Sequence, residues 1–192
     1  MKSLLLATAL TASASLAAAA ERYILDSSHS QVVFSYTHAG YSTTFGMFSG
    51  FEGEIMFDQE NPANSSVSVS MPTKSMFTGW EARDGHFMSA DFFGADDEDL
   101  ITFTSTSIEV TGEKTAKITG DLTMNDITKS VVLDANLNQT GAFPFGPNQG
   151  TPWAGFDATT TLKRSDFGLG AFAPAASDEV EVTISLEAQK AG

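Results

Sequence analysis

Three histidines are the side chains of this sequence best suited to metal binding or proton transfer near neutral pH. They are His29, His38 and His86, and no two of them have the i, i+2 or i, i+4 spacing of a local ligand pair. The chain has no cysteine to complete a metal site. It also lacks a G-x-S-x-G nucleophile motif. The sequence therefore predicts no metal, no cofactor and no enzymatic activity.

His38 ends a row of apolar residues on one face of a predicted strand. Val32, Phe34 and Tyr36 precede it on that face, because alternate residues of a strand point to the same side. A neutral imidazole there could donate a hydrogen bond to a quinone carbonyl, and an imidazolium could face a phosphate. The same histidine could instead bond a backbone carbonyl at the rim of a ligand-free barrel. The residues leave both interpretations open.

The segment Gly79–Phe93 (GWEARDGHFMSADFF) carries apolar residues near helical spacing, which predicts a short helix against the barrel or its mouth. An internal glycine costs that helix about 1 kcal/mol relative to alanine. Arg83, His86 and Phe87 would share one helical face. Arg83 is suited to phosphate or carboxylate. Its alternative role is a salt bridge to Asp84 or Asp91.

The rest of the chain alternates with period two, which is typical of antiparallel strands with one wet and one buried face. Eight to ten such segments without partner helices predict an all-β, closed antiparallel, lipocalin-like barrel of about eight strands, with one short helix. Only 2 Trp and 3 Tyr are available for the girdles of an outer-membrane barrel, so we expect the apolar faces to point inward. The residues expected to line the apolar interior are Phe34, Tyr36, Ile55, Phe57, Val69, Phe87, Phe103, Leu122, Met124 and Phe156.

The N-terminus carries the features of an export signal. MKSLLLATALTASASLAAAA has one lysine, an uncharged Leu/Ala-rich run and small residues at its end. This predicts a signal peptide over residues 1–20 and a mature domain over residues 21–192. The mature domain is not expected to be a lipoprotein, because it has no cysteine to modify. The chain has 10 basic and 24 acidic residues, and this charge argues against nucleic acid as a partner.

Several segments together resemble the YceI-like periplasmic family. They are YILDSSHSQVVFSYTHAGYSTTFGMFSGFEGEIMFD, RDGHFMSADFF, ITFTSTSIE, TGDLTMNDITKSVVLDA, PWAGFDATTTLKRSDFG and SDEVEVTISLEA, and they follow the family order across the mature chain. The resemblance implies a lipocalin-like barrel that binds a polyisoprenoid lipid, such as an isoprenoid quinone or a prenyl pyrophosphate, in an elongated tunnel. It also implies a periplasmic location and a carrier function.

The resemblance adds an expected arrangement of the ligand. The headgroup would lie near His38, Arg83 and His86, and the tail would fill the apolar interior. The chain departs from the family pattern by lacking basic residues around the PWAGF segment, which weakens the case for a pyrophosphate. Two apolar loops, Gly141–Pro147 and Phe167–Ser177, are candidates for plugs at the barrel end or for flaps through which lipid enters from a membrane.

Two alternatives remain open at this stage. A stress-protective or protein-interaction barrel would have a packed core and no lipid ligand, and it would act through its acidic surface. An enzyme acting on the bound lipid would lose turnover on His38→Ala while remaining folded. The sequence does not decide which isoprenoid is bound, or whether the chain is a monomer or a homodimer.

Overall fold

The computed structural model describes residues 19–192, so residues 1–18 of the predicted signal peptide lie outside the described residues. Ten strands and one α-helix make up the described chain. The strands are β1 (Glu21–Leu25), β2 (Gln31–His38), β3 (Ser42–Phe48), β4 (Glu52–Phe57), β5 (Ser66–Pro72), β6 (Leu100–Val110), β7 (Thr115–Met124), β8 (Ile127–Ala142), β9 (Pro152–Lys163) and β10 (Glu179–Lys190), and the helix is α1 (Glu81–Phe87).

Eight of these strands form a closed antiparallel wall, which confirms the predicted barrel. The order around the wall is β1-β4-β5-β6-β7-β8-β9-β10, and pairing of β10 with β1 closes it. Strand β10 pairs with β1 near its C-terminal end and with β2 near its N-terminal end. The β2–β3 hairpin therefore extends the wall beside the N-terminal part of β10, at the end where His38 bridges Ala176 of the β9–β10 connection. This hairpin accounts for the two strands beyond the eight.

The alternating pattern fixes which side of each strand is buried. Tyr23 and Leu25 of β1 are buried, whereas their neighbours Arg22 and Ile24 are exposed. The same alternation runs along β10, where Val180 and Val182 are buried and their neighbours Glu179, Glu181 and Thr183 are exposed. The apolar faces thus point inward, as the sequence predicts, because burying them removes their surface from water.

The helix is shorter than the predicted Gly79–Phe93 segment. It ends at Phe87, and the chain then turns back, with the Phe93 amide donating to the Phe87 carbonyl at 3.0 Å. The hydroxyl of Ser89 caps the end by donating to the His86 carbonyl at 2.7 Å. Within residues 19–192, no helix is long and apolar enough to cross a membrane.

The barrel has two distinct ends, separated by the length of β6. The capped end carries residues 73–99, which include α1, and the β9–β10 connection, residues 164–178. The hairpin end carries the β6–β7 turn, residues 111–114, and the β4–β5 connection, residues 58–65. Strand β6 has 11 residues, so at 3.4 Å per residue it spans roughly 35 Å between the two ends.

Candidate functional site

A cavity of about 390 Å³ lies inside the barrel. This volume is within the usual range for small-molecule sites. Nine of the ten residues predicted to line the interior are on its wall. They are Phe34, Tyr36, Ile55, Phe57, Phe87, Phe103, Leu122, Met124 and Phe156.

Val69 is the exception among the predicted lining residues. It does not reach the cavity wall, although it packs against both parts of the hydrophobic core. It pairs with Gly53 of β4 and Phe103 of β6, and its side chain lies against Gly53. The bulky Phe103 ring beside it is on the cavity wall instead. Val69 therefore belongs to the packed wall and not to the cavity surface.

Aromatic side chains shape the wall through edge-to-face contacts. The rings of Phe57 and Phe156 meet at 5.3 Å between centroids, and Tyr23 packs on the far side of Phe57 at 5.9 Å. Phe34 and Phe48 pack in a tilted arrangement instead, with 5.5 Å between centroids and 40° between the ring planes. Such contacts contribute about 0.5–1.5 kcal/mol each beyond area burial. Phe57 of β4 and Phe156 of β9 belong to strands that β1 and β10 separate, so their contact crosses part of the interior, whereas the other two pairs join neighbouring strands along the wall.

Two glycines make this arrangement sterically possible. A methyl group added at Gly46 would lie 2.3 Å from Cζ of Phe34, which is paired with Gly46 across β2 and β3. A methyl group at Gly120 would lie equally close to Cζ of Phe103. Each ring lies over a neighbouring strand where only hydrogen is tolerated. The glycines therefore hold two rings back from the centre of the cavity.

The capped end of the cavity is closed by apolar side chains. Met76 and Leu169 are buried there, and Phe87, Phe92 and Phe93 of the helical segment also line the cavity. Phe87 contacts Phe92 edge-to-face at 5.0 Å between centroids. These residues separate the interior from solvent at this end.

Arg164 holds the β9–β10 connection in place. Its guanidinium donates hydrogen bonds to four backbone carbonyls of that segment, of which those of Ser177 and Ala176 both lie at 2.9 Å. The other acceptors are the carbonyls of Leu169 and Ala171. Burial lowers the pKa of Arg164 from its ordinary value, while the charge of Asp178 acts in the opposite direction. Arg164 also lies on the cavity wall.

Sequence reasoning missed Arg164, although a signal was present. It follows Leu162 at the next inward position of the row Phe156, Ala158, Thr160 on β9. The same argument that singled out His38, a polar residue at the end of an apolar row, applies to it. In this case the polar residue lies on the cavity wall, and its donors are directed to the backbone of the cap.

The three residues predicted at the headgroup do not lie on the cavity wall. His38 is exposed at the end of β2, where it forms a β-bridge with Ala176. His86 is exposed on the cap, with Nε2 3.1 Å from an Asp91 carboxylate oxygen. Both imidazoles thus lie outside the cavity wall, and the expected headgroup position near them stays a prediction. The polypeptide turns aromatic side chains inward at this end and leaves the imidazoles outside.

Arg83 also points away from the cavity. Its Nε donates to the Thr78 hydroxyl at 2.7 Å and one terminal nitrogen donates to the Thr78 carbonyl at 2.6 Å. Its guanidinium carbon lies 5.9 Å from the centroid of the Trp80 ring. The salt bridge considered from the sequence is not formed, because Asp84 accepts from Thr78 and Asp91 pairs with His86. Arg83 thus orders the entry to α1.

A separate cluster on the outside of the barrel could hold a cation. One ligand atom each of Asp26, His29 and Glu187 lies within 4.8 Å of the other two. His29 Nδ1 and an Asp26 carboxylate oxygen are 2.6 Å apart, and this hydrogen bond raises the pKa of His29. Burial works against the charge of Asp26, but hydrogen bonds from His29 and Ser28 outweigh it and lower the pKa of Asp26. The spacing of histidines alone did not reveal this cluster.

Comparison with known proteins identifies relatives along almost the whole described chain. Residues 23–188 match the YceI-like domain. A UPF0312 protein of Ectopseudomonas mendocina is 44% identical over 159 residues, which is 83% of this chain and 81% of that protein. A UPF0312 protein of Pseudomonas putida is 38% identical over 187 residues, or 97% of this chain and 95% of that protein.

Solved structures show the same fold. BcnA of Burkholderia cenocepacia superimposes with a TM-score of 0.75 at 24% identity, over 85% of this chain and 98% of that one. A YCEI protein of Campylobacter jejuni gives 0.71 at 28% identity, over 81% of this chain and 90% of that one. A polyisoprenoid binding domain from Saccharophagus degradans gives 0.67 at 15% identity, over 88% and 98%.

Proposed function

The chain belongs to the YceI-like family, and from that premise we propose that it binds a long-chain isoprenoid lipid in its barrel. The observation that carries the proposal is the apolar cavity of about 390 Å³ inside the wall. The polyisoprenoid binding domain of Saccharophagus degradans has the same fold, which supports the choice of ligand class. The packed-core alternative calls for a filled centre, and the cavity does not fit it.

The cavity wall can supply the affinity through the tail alone. Large ligands gain about −0.3 kcal/mol per heavy atom, so a tail of roughly 40 carbons would gain about −12 kcal/mol. That value corresponds to a dissociation constant near one nanomolar. Polar groups would therefore orient the ligand without having to provide most of the binding free energy.

The proposal includes a location and a role. The predicted signal peptide would send the mature domain, residues 21–192, to the periplasm, where a free isoprenoid chain is poorly soluble. A protein that encloses the tail could carry or buffer the lipid between membranes. We propose a binding protein without catalysis, in keeping with its family.

Contact with a membrane would follow from this role. The two apolar loops identified in the sequence each expose a phenylalanine, Phe145 at 67% and Phe172 at 59%. Exposed aromatic side chains are suited to the interfacial region of a bilayer. The Phe145 loop joins β8 to β9 at the hairpin end, whereas the Phe172 loop is at the capped end, so each would reach a bilayer separately. We propose transient contact through one of these loops, tested by flotation with vesicles of phosphatidylethanolamine and phosphatidylglycerol. Loss of flotation in Phe145→Ser or Phe172→Ser would support it, and equal flotation of the parent and both variants would contradict it.

The direct test is to identify the lipid that copurifies. Mature protein isolated from the periplasm is extracted with organic solvent, and the extract is examined by mass spectrometry. A stoichiometric isoprenoid in repeated preparations is expected, and its absence would contradict the proposal. Ala135→Phe should reduce the recovered lipid, because Ala135 lies on the cavity wall. Val132→Phe on the same strand is the matched control, since Val132 is 44% exposed on the outer face.

A further inference from the structure

The two ends of the cavity differ in chemistry. At the capped end the cavity wall is formed mainly by buried or half-buried apolar side chains, with Arg164 committed to backbone carbonyls. At the hairpin end, polar and mostly exposed residues join the apolar wall. The residues that line it there include Gln59, Ser65, Ser66, Glu113, Lys114, Thr115 and Asn136.

The polar wall at the hairpin end offers hydrogen bonds with little net charge. Glu113 and Lys114 are adjacent in the β6–β7 turn, and their formal charges cancel. Asp157, the β9 partner of Asn136, adds a carboxylate that accepts a hydrogen bond from the Ser185 hydroxyl at 2.8 Å. The remaining polar groups are hydroxyls and amides, which can both donate and accept. One of these amides already reaches inward, since Gln59 Nε2 donates to the Tyr23 hydroxyl at 3.3 Å. Lys114 also reaches across the strands, with Nζ 3.4 Å from the Asn138 carbonyl oxygen.

A diphosphate would require a different wall. Phosphate groups are held by clustered arginine and lysine side chains that form charge-assisted hydrogen bonds. At the hairpin end, Lys114 is the cation among the described lining residues, and Glu113 is beside it. At the capped end, four N–H groups of Arg164 are directed to carbonyls of the cap. Lys163 also borders the cavity there, but it is exposed between the inward positions Leu162 and Arg164. Neither end therefore presents a cluster of free cations.

We propose that the ligand lies with its headgroup at the hairpin end and its tail toward the cap, and that the headgroup is uncharged and forms hydrogen bonds. A quinone ring or a terminal alcohol has this chemistry, whereas a diphosphate does not. The inference rests on the proposed function, because it assigns a direction and a headgroup class to the same cavity. It also moves the headgroup away from His38, Arg83 and His86 to the opposite end of the barrel.

The direction can be measured with single cysteines, because the chain has none of its own. Glu113→Cys at the hairpin end and His86→Cys on the cap are labelled with bimane, and both are loaded with ubiquinone-8, whose ring quenches nearby fluorophores. Quenching is expected to be at least fivefold stronger at position 113. Stronger or equal quenching at position 86 would overturn the proposed direction.

The loading step separates the two proposals. Ubiquinone-8 that co-elutes with the protein on gel filtration supports lipid binding, whichever label is quenched. Absence of co-elution in both labelled variants and in the unlabelled parent would contradict the proposed function itself. Reversed quenching with normal co-elution would leave lipid binding intact and overturn only the direction.

The headgroup class is tested with two ligands that share one tail. Geranylgeraniol and geranylgeranyl diphosphate compete with a fluorescent fatty probe, and the alcohol is expected to bind at least tenfold more tightly. Equal or tighter binding of the diphosphate would overturn the assignment. Glu113→Lys provides a specificity control, because it places two cations side by side in the turn. In that variant the ratio of diphosphate affinity to alcohol affinity should rise at least threefold relative to the parent.

Discussion

Arg164 should be the most important polar residue for the cap, and replacing it should loosen residues 164–178. Arg164→Gln removes the guanidinium and leaves four backbone carbonyls without their donor. A hydrogen bond from a charged donor contributes about 1.5–3 kcal/mol to stability, but burial of the charge opposes it. We expect a net loss of about 2–4 kcal/mol in the free energy of unfolding.

The loss should be visible both globally and locally. For a domain of this size, 1 kcal/mol corresponds to about 2–4 °C, so the melting temperature should fall by roughly 4–16 °C. Hydrogen exchange should accelerate at Ser177, whose amide donates to the Thr37 carbonyl at 2.9 Å and joins the cap to β2. Arg164→Lys should restore little of the lost stability, because one ammonium group cannot reach all four carbonyl acceptors.

The control for this experiment is Lys129→Gln, which removes a positive charge from an exposed position on β8. That variant should melt within about 1 °C of the parent, since isolated surface charges contribute little. A melting temperature for Arg164→Gln equal to that of the control, with unchanged exchange at Ser177, would refute the assignment of the cap to this guanidinium.

Three further outcomes are expected. His29→Gln should lower the urea midpoint below pH 6.5 but not near pH 9. The pKa of His29 is raised above its ordinary value of 6.5, so protonated His29 stabilises the fold below that pH, and the stabilisation is lost as pH rises through the folded pKa. A difference in urea midpoint between parent and variant that stays the same from below pH 6.5 to pH 9 would exclude the pairing with Asp26. Gly46→Ala should push Phe34 toward the centre and reduce bound lipid severalfold in extraction assays, whereas full occupancy would contradict the steric argument. Trp153→Phe should change the free energy of unfolding in urea by no more than about 1 kcal/mol, because Nε1 of Trp153 is buried without a hydrogen-bond partner among the described residues and its removal offsets the packing lost with the larger ring. A loss of several kcal/mol would show that removal of Nε1 gives no such compensation.

The barrel wall was predictable because its cause is local. Each strand buries alternate residues, so the sequence of one strand is enough to predict its inward face. The rows that end in Met124, Leu162 and Leu186 could therefore be assigned without knowing which strands lie beside them. The same period identified nine of the ten lining residues now found on the cavity wall. The alternation did not predict the two ends of the barrel, since it is the same along the whole strand. It does not show which end of the cavity the loops cover.

The residues predicted at the headgroup show most clearly that a local pattern does not predict the ends of the barrel. His38 continues an inward row, but β2 ends at that position and Ala39 adopts a left-handed φ of 49°, so the imidazole is exposed at the rim. Arg83 and His86 depend on how residues 73–99 fold over the barrel, which is decided by tertiary contacts such as that of Phe87 with Tyr36 at 6.1 Å between centroids. A local pattern cannot specify such contacts.

The cavity itself is a further argument for a ligand. Apolar side chains that border a cavity lack the van der Waals contacts of a packed core, so the cavity of about 390 Å³ lowers stability while no ligand fills it. A chain without cysteine cannot offset that cost with disulfides. A bound tail would restore the missing contacts, and its stabilisation would grow with ligand concentration as RT ln(1 + [L]/Kd). The melting temperature should therefore rise steadily with added ubiquinone-8, and a melting temperature independent of ligand concentration would show that the wall is stable with an empty centre.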